Sequence, residues 1–383
     1  MQEYFKRYLA ALFLLLLSQC SFAANPIVIT GNQIITTPTT YNNAVLDLSN
    51  GRFTINAGGS LTIQNSTVNV TISPTNPSFV TVNSGSLTLK NNTVTTTVNG
   101  ITPNPYMMSI YPLMQIQQGS VDIETNNLIV TTPYVVSLLS TGTTTTTGLH
   151  ISNNTIKNFH GGIYLMNSNS AIIDDNNFSN VSFANIFNAG SLNEIKRNIF
   201  TFPGNLMYGD AIDVVNAAGG NISENIISSG SGYGIMIMGG KNLFIENNKI
   251  TDGVTHAIFI QTPNSVYIKS SKILSQVLKH YKAPLIANRN IVIANNYLAL
   301  NRYGIAGGEV DKLIVTDNMF IQRFSDSSIR QYWTNNDVLL PLASNVTWLN
   351  NLYKEAFTQE VPGDNSASLQ FVTYPEHGGV YLP

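Results

Sequence analysis

Internal disulfides are excluded from this chain, because its 383 residues contain a single cysteine, Cys20. Burial and backbone hydrogen bonding must therefore hold the fold. Charge is scarce as well. Asp, Glu, Lys and Arg make up 10% of residues and the formal net charge is −2, so there is no basic field to attract nucleic acid and no acidic tail. After the N-terminus no apolar run approaches the roughly 20 residues that a spanning helix needs. Helical periodicity is missing too, and apolar residues alternate with period two. The polar content is mostly Asn, Thr and Ser, side chains satisfied by hydrogen bonds rather than by ions.

Residues 1–23 read as a secretory signal peptide. Lys6 and Arg7 give the positive start, LAALFLLLL the apolar core, and Ser21, Phe22 and Ala23 the cleavage region before Ala24. A lipoprotein signal built on Cys20 would want a small residue where Gln19 stands. The expected destination is the periplasm or the extracellular space.

A repeat organises the rest. Asn followed two residues later by an apolar residue recurs at Asn92, Asn127, Asn154, Asn176, Asn198, Asn225, Asn248, Asn296, Asn318 and Asn351, with Ser271 filling the gap before Asn296. From 154 to 318 the steps are 22, 22, 27, 23, 23, 25 and 22 residues. Three residues before each corner stands an apolar residue: Ile151, Ile173, Ile195, Ile222, Ile245, Ile268, Ile293, Val315. Short β-branched runs with Asn or Gly corners at this spacing predict stacked coils. Asn at a corner tolerates left-handed backbone, and amides stacked about 4.8 Å apart can bond along the stack. The expectation is an all-β chain, a right-handed parallel β-helix of about ten or more coils. It divides into a signal peptide (1–23), an N-terminal cap with irregular first coils (24–148), a regular β-helix (149–355) and a capping tail (356–383), in which Pro362, Pro375 and Pro383 discourage further strand.

A second column follows each corner: Ile163, Ile186, Ile212, Ile235, Ile258 and Ile305, all expected to point inward. Alternation then places Tyr164, Phe187, Asp213, Met236 and Phe259 outward in one vertical row. Aromatic side chains in such a row suit the apolar faces of sugar rings. Two residues before the Ile column runs another row: Gly161, Ala184, Asp210, Tyr233, His256, Tyr303. Asp210 and Asp213 can share a face only if the chain turns at Asp210. His160 lies on the same face two coils below. Asp174 beside Lys196, and Glu246 beside Lys269, read as ion pairs on another face. Three outward carboxylates never cluster, so neither a metal nor a cofactor is expected.

These motifs carry a resemblance. Polygalacturonase-type glycoside hydrolases have N-T-D-G-[IF]-D on one coil, Q-D-D on the next and G-H-G on the third. Here the coils read Y-G-D-A-I-D, G-Y-G-I and T-H-A-I, so Asp210 matches the first catalytic aspartate and His256 the groove histidine. Tyr233 and Gly234 replace the family's aspartate pair, and its R-I-K motif has only Lys282 and Arg289 roughly in place. The order G-D-A-I-D, G-I-M-I-M, H-A-I-F-I also resembles β-helical phage tailspikes that depolymerise polysaccharide. The resemblance implies a secreted polysaccharide-active protein, an endo-acting glycoside hydrolase, with a glycan as its partner. Asp213 would be the general acid, Asp210 the base, and His256 and Tyr233 would orient the substrate. Tyr164, Phe187, Tyr208, Phe259 and Tyr303 would complete the binding face. Two alternatives stand beside it: a lyase or epimerase using Tyr233 or His256 on a uronic acid, and a non-catalytic carbohydrate-binding solenoid.

Overall fold

The computed structural model describes residues 25–102, 111–133, 135–142, 144–182, 184–202, 209–228, 232–252, 256–261, 286–301, 303–322, 338–339, 343–354, 359–360, 372–373 and 380–381. Among these residues there is no helix. Thirty-six strands join in one continuous sheet, and its named strands pair in parallel. Each coil contributes three short strands that pair with the equivalent strands of the coils below and above. The result is a parallel β-helix. It already runs at the strand Ile27–Ile35, which pairs with Val45–Ile55. Beyond residue 356, Gln359–Glu360 still adds to the main sheet by pairing with Val338–Leu339. Val372–Thr373 and Val380–Tyr381 form a separate antiparallel pair.

Alternating apolar residues produce this shape because each coil can bury its inward side chains only against the next coil. The predicted Ile column is continuous: Ile163 pairs with Ile186, then Ile212, Ile235, Ile258 and Ile305 in succession. All six are fully buried. The column of Ile151, Ile173, Ile195, Ile222, Ile245, Ile293 and Val315 is likewise in register. A third column includes Phe178 and Phe200, whose rings stack at 4.9 Å. Full burial of each such side chain contributes roughly 1.5–3 kcal/mol.

The Asn ladder forms, with three corrections. At the second position the ladder residue is Asn126 rather than Asn127: Asn92 Nδ2 donates to Asn126 Oδ1 at 2.9 Å, and Asn126 Nδ2 to Asn154 Oδ1 at 3.0 Å. Asn127 is exposed and opens the following strand. Second, the rung that follows Asn248 is Asn296, and the column member that follows Ile245 is Ile293. Asn248 Nδ2 bonds directly to Asn296 Oδ1 at 3.0 Å and Ile245 pairs with Ile293, while Ser271 and Ile268 lie outside the described residues. A 48-residue step therefore separates two adjacent rungs. Third, the left-handed residue is the one before each ladder Asn: Asn153, Asp175, Arg197, Glu224 and Asn247 have φ of 54–58°. The ladder Asn itself is there for its amide. Asn154 accepts from Asn126 N and Nδ2 and donates to Ile123 O, Ser152 O and Asn176 Oδ1. A buried amide with this many partners is satisfied on both its oxygen and its nitrogen.

On the opposite wall the ion pairs differ from the expected ones. Arg197 holds Asp174 at 3.0 Å and Asp175 at 2.8 Å, and Lys196 turns to Glu194 at 2.8 Å. Lys269 lies outside the described residues.

Candidate functional site

Five successive strands of one sheet build the site: Gly161–Leu165, Ala184–Asn188, Asp210–Val215, Ile235–Met238 and His256–Gln261. Tyr303–Gly307 stacks above them. The predicted row is in place, because Ala184 pairs with Asp210, and His256 pairs with Tyr303. Backbone bonds from Ala211 N to Tyr233 O and from Gly234 N to His256 O tie Asp210, Tyr233 and His256 to consecutive coils.

Asp210 and Asp213 do share a face. Their carboxyl groups hydrogen-bond each other, and Asp210 is the residue at which the strand Asp210–Val215 begins. Asp210 stays partly exposed, and its Oδ1 accepts the Tyr233 N–H at 2.7 Å. Gly232 makes that approach possible, since a Cβ there would collide with the same oxygen. Burial pushes the Asp210 carboxyl up to about 6, against the opposing pull of the Tyr233 N–H and the Asp213 hydrogen bond. Asp213 is held well above the ordinary carboxyl range, first by burial, then by the charge of Asp210 and by their hydrogen bond. The two carboxyls therefore titrate as a coupled pair, both held above the ordinary carboxyl range.

The outward row needs correction. Its register is as expected, Tyr164 to Phe187 to Asp213 to Met236 to Phe259. Yet Asp213 is 5% exposed, Phe187 3% and Tyr164 1%. The side chains in this row cover one another; Tyr164 and Phe187 meet edge to face at 6.2 Å. Asp213 thus faces Asp210 rather than a substrate, and Tyr164 and Phe187 are too deep to touch a sugar. Tyr208 lies outside the described residues. The accessible aromatic groups are in the coils above. Tyr233 stacks on Phe259 at 4.7 Å, His256 lies 4.8 Å from Phe259 and 5.2 Å from Tyr233, and Tyr303 stacks on His256 at 4.5 Å. Tyr233, His256 and Phe259 remain half-buried, while Tyr303 is 7% exposed. His160 is structural, buried with Nδ1 2.9 Å from Ser182 Oγ.

Two contributors escaped the sequence. The Tyr233 backbone N–H has no side-chain signature. Asn185 had one: the position before the Ile column is Gly162, Ala211, Gly234, Ala257 and Gly304 in the other coils, and Asn185 alone breaks the run of small residues. It is buried, and its Nδ2 donates to Asp210 O at 2.9 Å, fixing the backbone that carries the carboxyl.

A pH-dependent stability follows. Asp213 binds its proton more tightly in the fold than at the ordinary value of 3.8, so the fold keeps a proton that the unfolded chain releases. Stability from this source is complete below about pH 4 and is lost as pH rises through the raised folded value. Asp213→Asn removes the titration and keeps a donor toward Asp210. Its melting temperature should match the wild type near pH 4 and exceed it by several degrees near pH 8. Parallel melting curves at both pH values would show that Asp213 is not a buried acid.

Among the described residues no helix is long and apolar enough to cross a membrane, and no three His, Cys, Asp or Glu residues are grouped to hold a metal. A family model described as a right handed beta helix region matches residues 134–277 and 193–321, which gives the hand of the coil. A mutant of the periplasmic alginate epimerase AlgG superposes with a TM-score of 0.52 at 12% identity, over 86% of this chain and 85% of that one. The alginate lyase AlyF-OU02 gives 0.49 at 14% identity over 94% and 85%, and PfbA, a surface adhesin of Streptococcus pneumoniae, gives 0.43 at 10% over 94% and 93%. No curated protein sequence matches the chain. The chain is a right-handed parallel β-helix.

Proposed function

We propose that this is an exported polysaccharide-active enzyme that removes the proton next to the carboxyl group of a uronic acid, as a lyase or epimerase. One observation carries the proposal: Asp210 and Asp213 form one coupled carboxyl pair, both raised by burial with Asp210 at about 6, with Tyr233 and His256 on the next two coils. Glycoside hydrolysis needs two carboxyl groups about 5–5.5 Å or about 6.5–9.5 Å apart. Two groups that hydrogen-bond each other do not offer either separation. Proton abstraction needs other things: neutralisation of the sugar carboxylate, a base, and a donor for the leaving oxygen or the opposite ring face. The strands Gly161–Leu165, Ala184–Asn188, Asp210–Val215, Ile235–Met238 and His256–Gln261 contain no Lys or Arg. Neutralisation would therefore fall to Asp210. An approaching carboxylate raises its proton affinity above the value of about 6, so Asp210 is protonated in the complex and donates to the sugar carboxylate. His256 then accepts the carbon-bound proton and the Tyr233 hydroxyl donates, with Phe259 under the sugar ring. The same scaffold carries epimerase chemistry in AlgG; in this chain the acid pair points that way.

A panel of uronate-containing polysaccharides separates the outcomes. Elimination creates a double bond that absorbs in the ultraviolet. Epimerisation takes up solvent deuterium without shortening the chain. New reducing ends with neither signal would sink this proposal in favour of hydrolysis. Binding without any of the three would leave a carbohydrate-binding solenoid.

A further inference from the structure

Two buried side-chain atoms beneath the acid pair, Ser137 Oγ and Tyr164 Oη, and one within it, Asp213 Oδ1, have no hydrogen-bond partner. All three residues are at least nine-tenths buried. They also belong to one stack of coils. Ser137 pairs with Gly161, Ile163 with Ile186, and Ala184 with Asp210, so the row runs Ser137, Gly161, Ala184, Asp210. Tyr164 leans over this row. Its hydroxyl occupies the place where a Cβ on residue 161 would sit, so glycine is required there to admit it. Phenylalanine at 164 would make the same edge-on contact with Phe187 without burying a hydroxyl, and an unbonded buried hydroxyl is costly. Ser137 and Tyr164 stand in neighbouring coils and Asp213 two coils above Tyr164, and three such atoms along one stack are better explained by a shared partner than by three separate costs.

We propose that Tyr164 is a positioning residue for the acid pair: its hydroxyl is joined to Asp213 Oδ1 through bound water held in the row between Ser137 and Asp210. Buried water characteristically bridges polar groups of this kind; Gly161 admits the hydroxyl, and Ala184 is the small residue between Gly161 and Asp210. The inference rests on the role given to Asp210 above. Facing the pair are Tyr164 from below and Tyr233 and His256 from above. Ala184–Asn188 and Ile235–Met238 contribute no titratable group. A donor delivered to Asp213 eases ionisation of the pair, so Tyr164 sets the upper pH at which the pair still yields a proton.

The test is Tyr164→Phe in the full chain, followed by carboxyl 13C NMR. The pair should titrate about one unit higher or more, the shift that a hydrogen bond to a charged group sustains. The alkaline limb of any activity should move up with it, with KM little changed. Ser137→Ala, at the far end of the row, should move the same titration in the same direction by less, and serves if the first variant does not fold. An unchanged carboxyl titration in a folded variant overturns the inference. A moved titration in a protein that turns over no polysaccharide would uphold it while the proposed function fell.

Discussion

Asp210→Asn is expected to abolish turnover of an acidic polysaccharide while leaving the chain folded. The amide keeps the shape of the carboxyl and can still accept the Tyr233 N–H that now reaches Asp210 Oδ1 at 2.7 Å. It cannot take up and release a proton. General acid–base groups contribute about 10²–10⁴-fold, and Asp210 is the more exposed member of the pair, so a loss at the upper end is expected. Stability should not fall in step. The partly buried carboxyl is a cost of the fold at neutral pH, as its raised proton affinity indicates. The measurement is initial rate on the preferred polysaccharide together with a melting curve. A variant that turns over within threefold of wild type would remove Asp210 from the chemistry.

Asn225→Ala should have the largest effect on stability. Asn225 Oδ1 accepts from Asn198 N and Nδ2 at 3.0 and 3.1 Å, and its Nδ2 donates to Ile195 O and Asn248 Oδ1, both at 2.9 Å. Alanine leaves all four of these partners short of a bond in a buried stack. Each unsatisfied group costs about 1–3 kcal/mol before relaxation, and a loss of about 3–5 kcal/mol is expected once neighbours share their remaining bonds. Asn69→Ala, on an exposed strand position, should change stability by about 0.5 kcal/mol or less. Equal unfolding midpoints in denaturant for the two variants would show that the ladder carries no load.

The column of Ile163 to Ile305 was legible because two periods coincide there, a 22–27 residue coil and a two-residue alternation. Only one face of each strand can satisfy both. The ladder was legible in type but not in detail. Asn126 and Asn127 are identical side chains, and the choice between them is made by Thr125, whose φ of 58° turns the corner one residue earlier than the motif suggests. Ser271 matched the spacing, but spacing alone cannot tell which two Asn residues bond to each other. The Asn248–Asn296 bond decides it.

At the site, the sequence placed Asp210, Tyr233 and His256 in one row because their steps of 23 equal one coil. What it could not convey was depth. Alternation says which way Tyr164, Phe187 and Asp213 leave the strand, not whether neighbours in the row close over them. Asp213 lies in that row between Phe187 and Met236 and is 5% exposed. Distance between the two carboxyls was likewise invisible, since it depends on side-chain torsions at residues three apart. The contact between them is what the proposed function builds on in place of two separated carboxyls.

Carboxyl titration of the wild-type chain tests that coupled pair most directly. Site-resolved 13C signals should show both carboxyls titrating above the ordinary carboxyl range, one of them near pH 6, with both moving together because each feels the other's charge. Independent titration of Asp210 and Asp213 near the ordinary value of 3.8 would mean two solvated carboxylates, and the acid unit on which the function is built would not exist.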